Sequence, residues 1–280
     1  MTRQHARLRG PSAALALVLA LALPAVGAAQ AARPRPGPAV KPRAERAVPF
    51  AVGETLTFDV AWSSFLVAGS ATVAVRERRQ TGGSTSWVIV AEGQPIPLVA
   101  RLYPVYYKVD TLLDTVTLLP RRSSFYGKEG GDQTTRVTTY EQAARRATYE
   151  VFDARPTREQ LTLRGSTYDP LAAIYVARTA KLRAGHVITM AVADGGDLYD
   201  LQLSVEGVER VRTGLGSLEA WKLVPRFLDA RGRDKFSAGM ALWISTDARR
   251  LPLKLQATLA VGTFDLTVRE AGGAAAPGAR

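Results

Sequence analysis

The chain has no cysteine and only two histidines, His5 and His186. It has no apolar run long enough to span a bilayer, the stretch from Ala13 to Leu23 included. Each shortage excludes something. Without cysteine there is no disulfide, no thiol nucleophile, no thiolate metal site and no thiol to carry a lipid anchor. Histidine is the usual general base near neutral pH. His186, beside Gly185 at the start of an alternating segment, is the sole candidate outside the N-terminal stretch, and no Gly-x-Ser-x-Gly turn precedes a helix. No catalytic residue is predicted.

What is present begins with an address. Arg3, Arg7 and Arg9 precede an apolar run from Ala13 to Leu23, and Gly27, Ala28 and Ala29 follow. Positive charge, a short apolar stretch and small residues in that order predict a signal peptide over residues 1–29, cut near Ala28 or Ala29, and a soluble periplasmic product. Residues 30–47 hold Pro34, Pro36, Pro38 and Pro42 among arginines and read as a linker. Residues 48–270 form the predicted domain, and 271–280 (AGGAAAPGAR, opening at Ala271) read as a disordered tail.

The formal charge of +12 raises the question of nucleic acid. Its distribution answers no: the segment 48–270 carries 28 Lys and Arg against 24 Asp and Glu, so most of the excess lies outside the domain. A nucleic-acid binder concentrates basicity on one folded face.

Within the domain the apolar period is two. Leu56, Phe58 and Val60 alternate with polar residues, and similar runs recur at 70–76, 86–92, 106–110, 136–140 and 147–152. They resume at 187–193, 198–205, 218–224, 241–245, 253–259 and 262–268, with Gly pairs at 82–83, 130–131 and 195–196 between runs. This predicts an all-β protein whose antiparallel curved sheets form a sandwich or an open barrel. One amphipathic helix is predicted near 169–183. Asp169 suits its N-cap, Pro170 its first turn and Gly185 its stop, with Leu171, Ile174, Tyr175 and Leu182 on one face. VGETLTFDVA (52–61) aligns with AGHVITMAVA (184–193) at a spacing of 132, which suggests two similar halves. The second half of the match pairs Asp110 with Asp247. In ALWISTDARRLPLKLQ (241–256), Ala241 and Trp243 should face one way and Leu242 and Ile244 the other, with Arg249 and Arg250 exposed at the turn.

The segments PFAVGETLTFDVAWSSFLVAGSATVAV (49–75), KVDTLLDTVTLLP (108–120), YDPLAAIYVAR (168–178) and GMALWISTDARRLPLKL (239–255) resemble the bacterial family catalogued as domain of unknown function 3108. The resemblance implies an exported β-rich domain and brings no catalytic residues. WISTDARRLP alone is also similar to a hairpin of periplasmic lipoprotein carriers, which shelter acyl chains in a curved sheet with a helical lid.

Three candidate sites follow from residue type. Asp194, Asp197 and Asp200 in ADGGDLYD could offer oxygen ligands to calcium, but Asp-Gly-Gly between two strands is a hairpin turn and the loop spacing is wrong. No metal and no cofactor are predicted. Glu54, Asp59, Glu92 and Asp110 could supply an acid pair only if the fold gathers them. The aromatics are denser: Tyr103, Tyr106 and Tyr107 in PIPLVARLYPVYYKVD, and Phe125 in SSFYGKEGG, read as irregular and Gly-rich segments. With Trp62 and Trp243 they are the candidate ligand-binding residues; the alternative is an ordinary sandwich core. The function expected is non-catalytic: binding or escorting an apolar or glycan envelope component. A carboxylate hydrolase and an interaction module remain the alternatives.

Overall fold

Alternating apolar and polar side chains require extended backbone, since only period two places one set against a common core. The computed structural model describes residues 44–63, 66–81, 83–235, 239–259 and 262–275. The predicted signal peptide with its cleavage site, residues 30–43 and residues 276–280 lie outside the described residues.

A first antiparallel meander comprises β1 (Thr55–Trp62), β2 (Leu66–Thr81), β3 (Ser84–Pro95), β4 (Val105–Asp114), β5 (Pro120–Glu129), β6 (Asp132–Glu141), β7 (Arg146–Phe152) and β8 (Thr157–Thr162). After the two-residue β9 (Thr167–Tyr168), a second comprises β10 (Val187–Asp194), β11 (Asp197–Thr213), β12 (Gly216–Leu228), β13 (Met240–Ser245), β14 (Pro252–Leu259) and β15 (Gly262–Gly272). Helix α1 (Pro97–Leu102) joins β3 to β4, and α2 (Pro170–Thr179) joins β9 to β10. Pairing of β1 with β15 fuses the meanders into one sheet of 15 strands, ordered β8 to β1 and then β15 to β9.

The outcome is an open barrel rather than a sandwich of two sheets. The ends of the sheet meet through side chains: Tyr140, Ala147 and Leu163 near one edge cluster with Ala193 and Leu198 of β10 and β11. Tyr149 on β7 lies against the β10–β11 turn, where a Cβ on Gly196 would stand 3.0 Å from the ring.

The two halves share their turns. Gly53 and Gly185 both take positive φ, +91° and +78°. The Gly53 N–H donates to the Val75 carbonyl at 2.9 Å and the Gly185 N–H to the Val205 carbonyl at 2.8 Å. Leu118 and Arg250 also lie 132 apart and are left-handed, and Pro120 and Pro252 follow them as the first residues of β5 and β14. The matching turns therefore pair Asp114 with Ser245, whose N–H groups reach Leu119 and Leu251 carbonyls; the expected pairing of Asp110 with Asp247 is wrong because it ignores the two prolines.

Helix α2 also departs from expectation. It ends at Thr179, Ala180 is extended, and Gly185 turns the chain into β10. Nor is it an amphipathic cover: Leu171, Ala172, Ala173, Tyr175, Ala177 and Arg178 point round the axis and all are buried. The helix lies on the concave face of the rolled sheet, packed on one side by Val75, Ile89 and Leu113 and on the other by Val192, Leu203, Leu242 and Ile244. Inside a curved sheet every direction meets protein, so alanines replace the polar face of a surface helix. Asp169 caps it, accepting from the Ala172 N–H at 2.9 Å.

Arg178 fixes the C-terminal end. Its side chain is fully buried and grips Glu54 with two parallel bonds, 2.6 Å to Oε1 and 2.7 Å to Oε2. Further donations reach the carbonyls of Arg250 (2.9 Å), Arg249 (3.1 Å) and Pro49 (3.2 Å). The guanidinium lies 4.8 Å from the Tyr175 ring centre and 5.3 Å from that of Phe50. Arg249 and Arg250 are thus half-buried parts of this junction through their backbone, not simply exposed turn residues. The ordered domain also exceeds 48–270 at both ends. Arg46 N–H bonds to Thr115 at 2.9 Å, and Ala275 is buried where Arg249 reaches its carbonyl.

Replacing Arg178 by Met leaves the Glu54 carboxylate buried without its cation, a change that costs about 3–5 kcal/mol. Urea unfolding should show that loss for Arg178→Met and a clearly smaller one for the Glu54→Met/Arg178→Met pair. A single-variant loss below about 1 kcal/mol would contradict the role given to this junction.

Candidate functional site

Register decides which aromatics meet. On β4, Thr111 donates to the Asp169 carboxylate at 2.7 Å and Val109 packs with the α2 cluster, so this side of β4 is concave. Tyr107 has the same parity. Phe125 pairs directly with Val109, and its ring centre lies 6.0 Å from that of Tyr107. Tyr107 and Phe125 therefore share the concave face. Tyr106 is on the opposite, convex face, 6.1 Å from Tyr126.

The other candidates separate. Trp62 and Tyr103 sit on the rim where β1 ends and β4 begins, 45% and 58% exposed. Trp243 is buried on β13, bonds through its indole N–H to Glu209 and carries Lys254 5.1 Å from its ring centre. It belongs to the cluster of Phe58, Ala220 and Leu253. Of the six, Tyr107 and Phe125 converge on one face, and Tyr103 at the rim comes near enough to Tyr107 to act on its hydroxyl; Tyr106 and Trp243 stand apart. Tyr106 and Tyr107 lie in β4, as the alternation over 106–110 predicts; the segments assigned as irregular on either side are regular, with residues 97–102 in α1 and Phe125 in β5.

Helix α2 occupies the half of the concave face near Glu54 and the β13–β14 turn. The half towards the rim is left to side chains. One row across the paired strands reads Arg136, Phe125, Val109, Ala91 and Val73; its neighbour reads Gly127, Tyr107, Gly93 and Ala71. All of these but Arg136, which is exposed, and Gly127 are partly buried, so this apolar surface is open rather than sealed. Arg136 lies 5.1 Å from the Phe125 ring centre. Tyr107 donates to Glu129 at 2.8 Å; burial and that carboxylate push its hydroxyl up to about 12. At the rim, Leu98 and Leu102 of α1 are 68% and 85% exposed, beside Val67 and Trp62.

Two clefts lie elsewhere. One of about 830 Å³ opens where the sheet ends approach, lined among others by Leu161, Arg164, Tyr199 and Lys235. The other, about 590 Å³, lies by the β4–β5 turn. Neither includes the aromatic pair.

The carboxylates suggested as an acid pair each face a base: Glu54 with Arg178, Asp59 with Arg269 (2.8 Å), Glu92 with Lys108 (3.4 Å) and Asp110 with Arg122 (3.6 Å). Asp194 and Asp197 flank a two-residue turn whose glycines both have positive φ, the geometry of a hairpin loop. His186 lies beside the Gly185 turn, its N–H bonded to the Arg183 carbonyl at 3.1 Å. Among the described residues no cluster of three metal-ligating side chains occurs, and no helix is long and apolar enough to cross a membrane.

The architecture defines a class: a barrel-like protein made of one unclosed sheet, antiparallel except where β9 meets β10, with an internal helix. Within that class the chain belongs to the family described as protein of unknown function (DUF3108), whose model matches residues 57–269. No curated protein matches. Solved structures with similar outlines include a beta-barrel-like DUF1849 protein from Brucella abortus, with a TM-score of 0.49, 9% identity, and 79% of this chain and 97% of that one covered. A Bacteroides fragilis protein with a YmcC-like fold, provisionally described as exported, has 0.31 and 6%, covering 81% and 99%. A Parabacteroides distasonis protein, provisionally described as a lipoprotein, has 0.32 and 9%, covering 80% and 98%.

Sequence reasoning missed Arg136, Asp169 as a buried acid, and Arg178. Asp169 carried a cap signal but none for its depth. Burial raises its carboxyl to about 6, against the bonds from Ala172 and Thr111 that favour the charge. A folded value above the ordinary 3.8 means stability that is full below pH 4 and lost as pH rises through 6. The stability of the wild type relative to Asp169→Asn should therefore fall by about 2 kcal/mol between pH 4 and pH 7. Urea titrations at four pH values would measure it; a flat difference would mean the carboxyl is solvated.

Proposed function

We propose that this is an exported, periplasmic, non-catalytic protein that binds an apolar envelope component and holds it on the concave face beside α2. The observation that carries this reading is the partly buried apolar surface of Phe125, Tyr107, Gly93 and Ala71, which continues the concave face beyond Val73, Ala91 and Val109 where these pack on the α2 cluster. Monomeric soluble proteins rarely expose contiguous apolar surface without a binding role. Aromatic rings give large contact area at low conformational cost, and a curved sheet supplies the trough. The rim offers Trp62, Val67, Leu98 and Leu102 as an approach for such a ligand. The absence of cysteine fits an unclipped exported fold, and the predicted signal peptide supplies the route.

A neutral fluorescent probe, N-phenyl-1-naphthylamine, tests the site. It should bind the purified domain with enhanced emission. Gly93 lies on the concave face opposite Tyr107, and a Cβ there meets nothing closer than 3.9 Å, so Gly93→Leu fills the trough without backbone collision. That variant should keep its melting temperature within a few degrees and lose most probe binding. Undiminished binding by a folded Gly93→Leu protein would place the probe elsewhere and overturn the reading.

A further inference from the structure

We propose that the ligand of this trough is an anionic amphiphile, a single acyl or alkyl chain with a carboxylate or phosphate head, and that Arg136 receives the head. This rests on the binding role proposed above and specifies it. The row across the concave face is apolar from Val73 through Ala91, Val109 and Phe125, and it ends in one cation. Arg136 sits opposite Phe125 on one side and Val151 on the other, with neither neighbour able to neutralise it.

In this half Arg78, Arg79, Arg121, Arg122, Arg146 and Arg158 all have a carboxylate within 4.0 Å. Arg136 shares with Arg46, Arg76, Arg101, Arg145 and Arg155 the lack of a carboxylate within 4.0 Å among the described residues, and differs from them in standing over the Phe125 ring at the end of the apolar row. Its contacts are the Phe125 ring, at 5.1 Å, and the field of Tyr149. Acids on this face are Glu129, which takes the Tyr107 hydroxyl, and Glu159, placed opposite Tyr149 one strand beyond β7; Asp194 and Asp197 also act on the Tyr149 hydroxyl, and none of the four comes within 4.0 Å of the Arg136 guanidinium.

An arginine that lies near an aromatic ring without a carboxylate partner keeps its donors free, and the guanidinium fork suits a bidentate oxyanion. Next to it, Gly127 leaves space that a side chain could not share: a Cβ there would lie 2.8 Å from the Phe125 ring. A chain leaving the head group would cross Phe125 and Tyr107 and lie along Gly93 and Ala71 towards β1. Polar glycans lack the long apolar section this row would cover, and a neutral lipid would leave the cation unanswered.

Displacement of N-phenyl-1-naphthylamine by dodecanoate, dodecyl phosphate, dodecanol and inorganic phosphate separates the possibilities. Both charged amphiphiles should bind about tenfold tighter than dodecanol, the contribution of a charged hydrogen-bonded pair. Inorganic phosphate alone should not displace the probe. In Arg136→Gln the ratio of dodecanoate to dodecanol affinity should fall to near one, and Arg136→Lys should restore part of it. Melting curves establish that each variant is folded. Equal affinities in the wild type, or a ratio unchanged in Arg136→Gln, would overturn the head-group assignment while leaving the apolar trough standing. Failure of the probe and of every amphiphile to bind would instead remove the binding role itself. Displacement by inorganic phosphate would mean a free-anion site rather than an amphiphile site.

Discussion

A sheet of 15 strands with two free edges has no hydrogen bond to close it, so something else must set its curvature. The buried pair of Arg178 and Glu54 supplies that constraint. One guanidinium joins the end of α2, the start of β1, the segment before it at Pro49 and the β13–β14 turn at Arg249 and Arg250. Those pieces come from both halves of the chain. A fully desolvated charge pair contributes little net free energy compared with an apolar substitute, but it tolerates only one geometry. Its consequence here is positional: α2 is anchored in one half of the concave face, and the other half stays open.

The internal duplication explains why a helix is needed at all. Meanders of eight and six strands with matching turns meet along β1 and β15, and each brings an apolar concave face. Rolled together they enclose more apolar surface than their own side chains fill. Helix α2, placed between the repeats in sequence, fills the part nearest the junction with alanines and two large residues, Leu171 and Tyr175. Where it stops covering, the sheet is floored by Gly93 and Ala71 and topped by rings, and a cation stands at the end of the neighbouring row. The binding reading grows from that division of the interior, with surface charge elsewhere absorbed in exposed ion pairs.

Much of this was legible in the sequence because period two is a local property. Strands such as 55–62 and 187–194 announce themselves by alternation alone. β5 did not, since Ser123, Ser124 and Gly127 look like loop residues until Phe125 is seen lying over the glycine. β8, TREQLT, is an edge strand exposed on nearly every residue, so no apolar pattern marks it. The start of α2 was readable from Asp169 and Pro170. Its end was not, because Lys181, Arg183 and Gly185 imitate a helix terminus that the chain reaches at Thr179. Arg178 has no local signal: its partner is 124 residues away. Tyr107 and Phe125 were legible as unusual residues, but their meeting, and the place of Arg136 beside them, depends on register that only the folded sheet supplies.

Diffraction from crystals grown with 12-bromododecanoate would locate both ends of a bound chain at once. Anomalous bromine density over the surface between Tyr107 and Ala71, with the carboxylate within 3.5 Å of the Arg136 guanidinium, is the expected result. Bromine confined to the convex face, or a carboxylate seated in the cleft by Arg164 and Lys235, would contradict the division of the concave face on which the whole functional account stands.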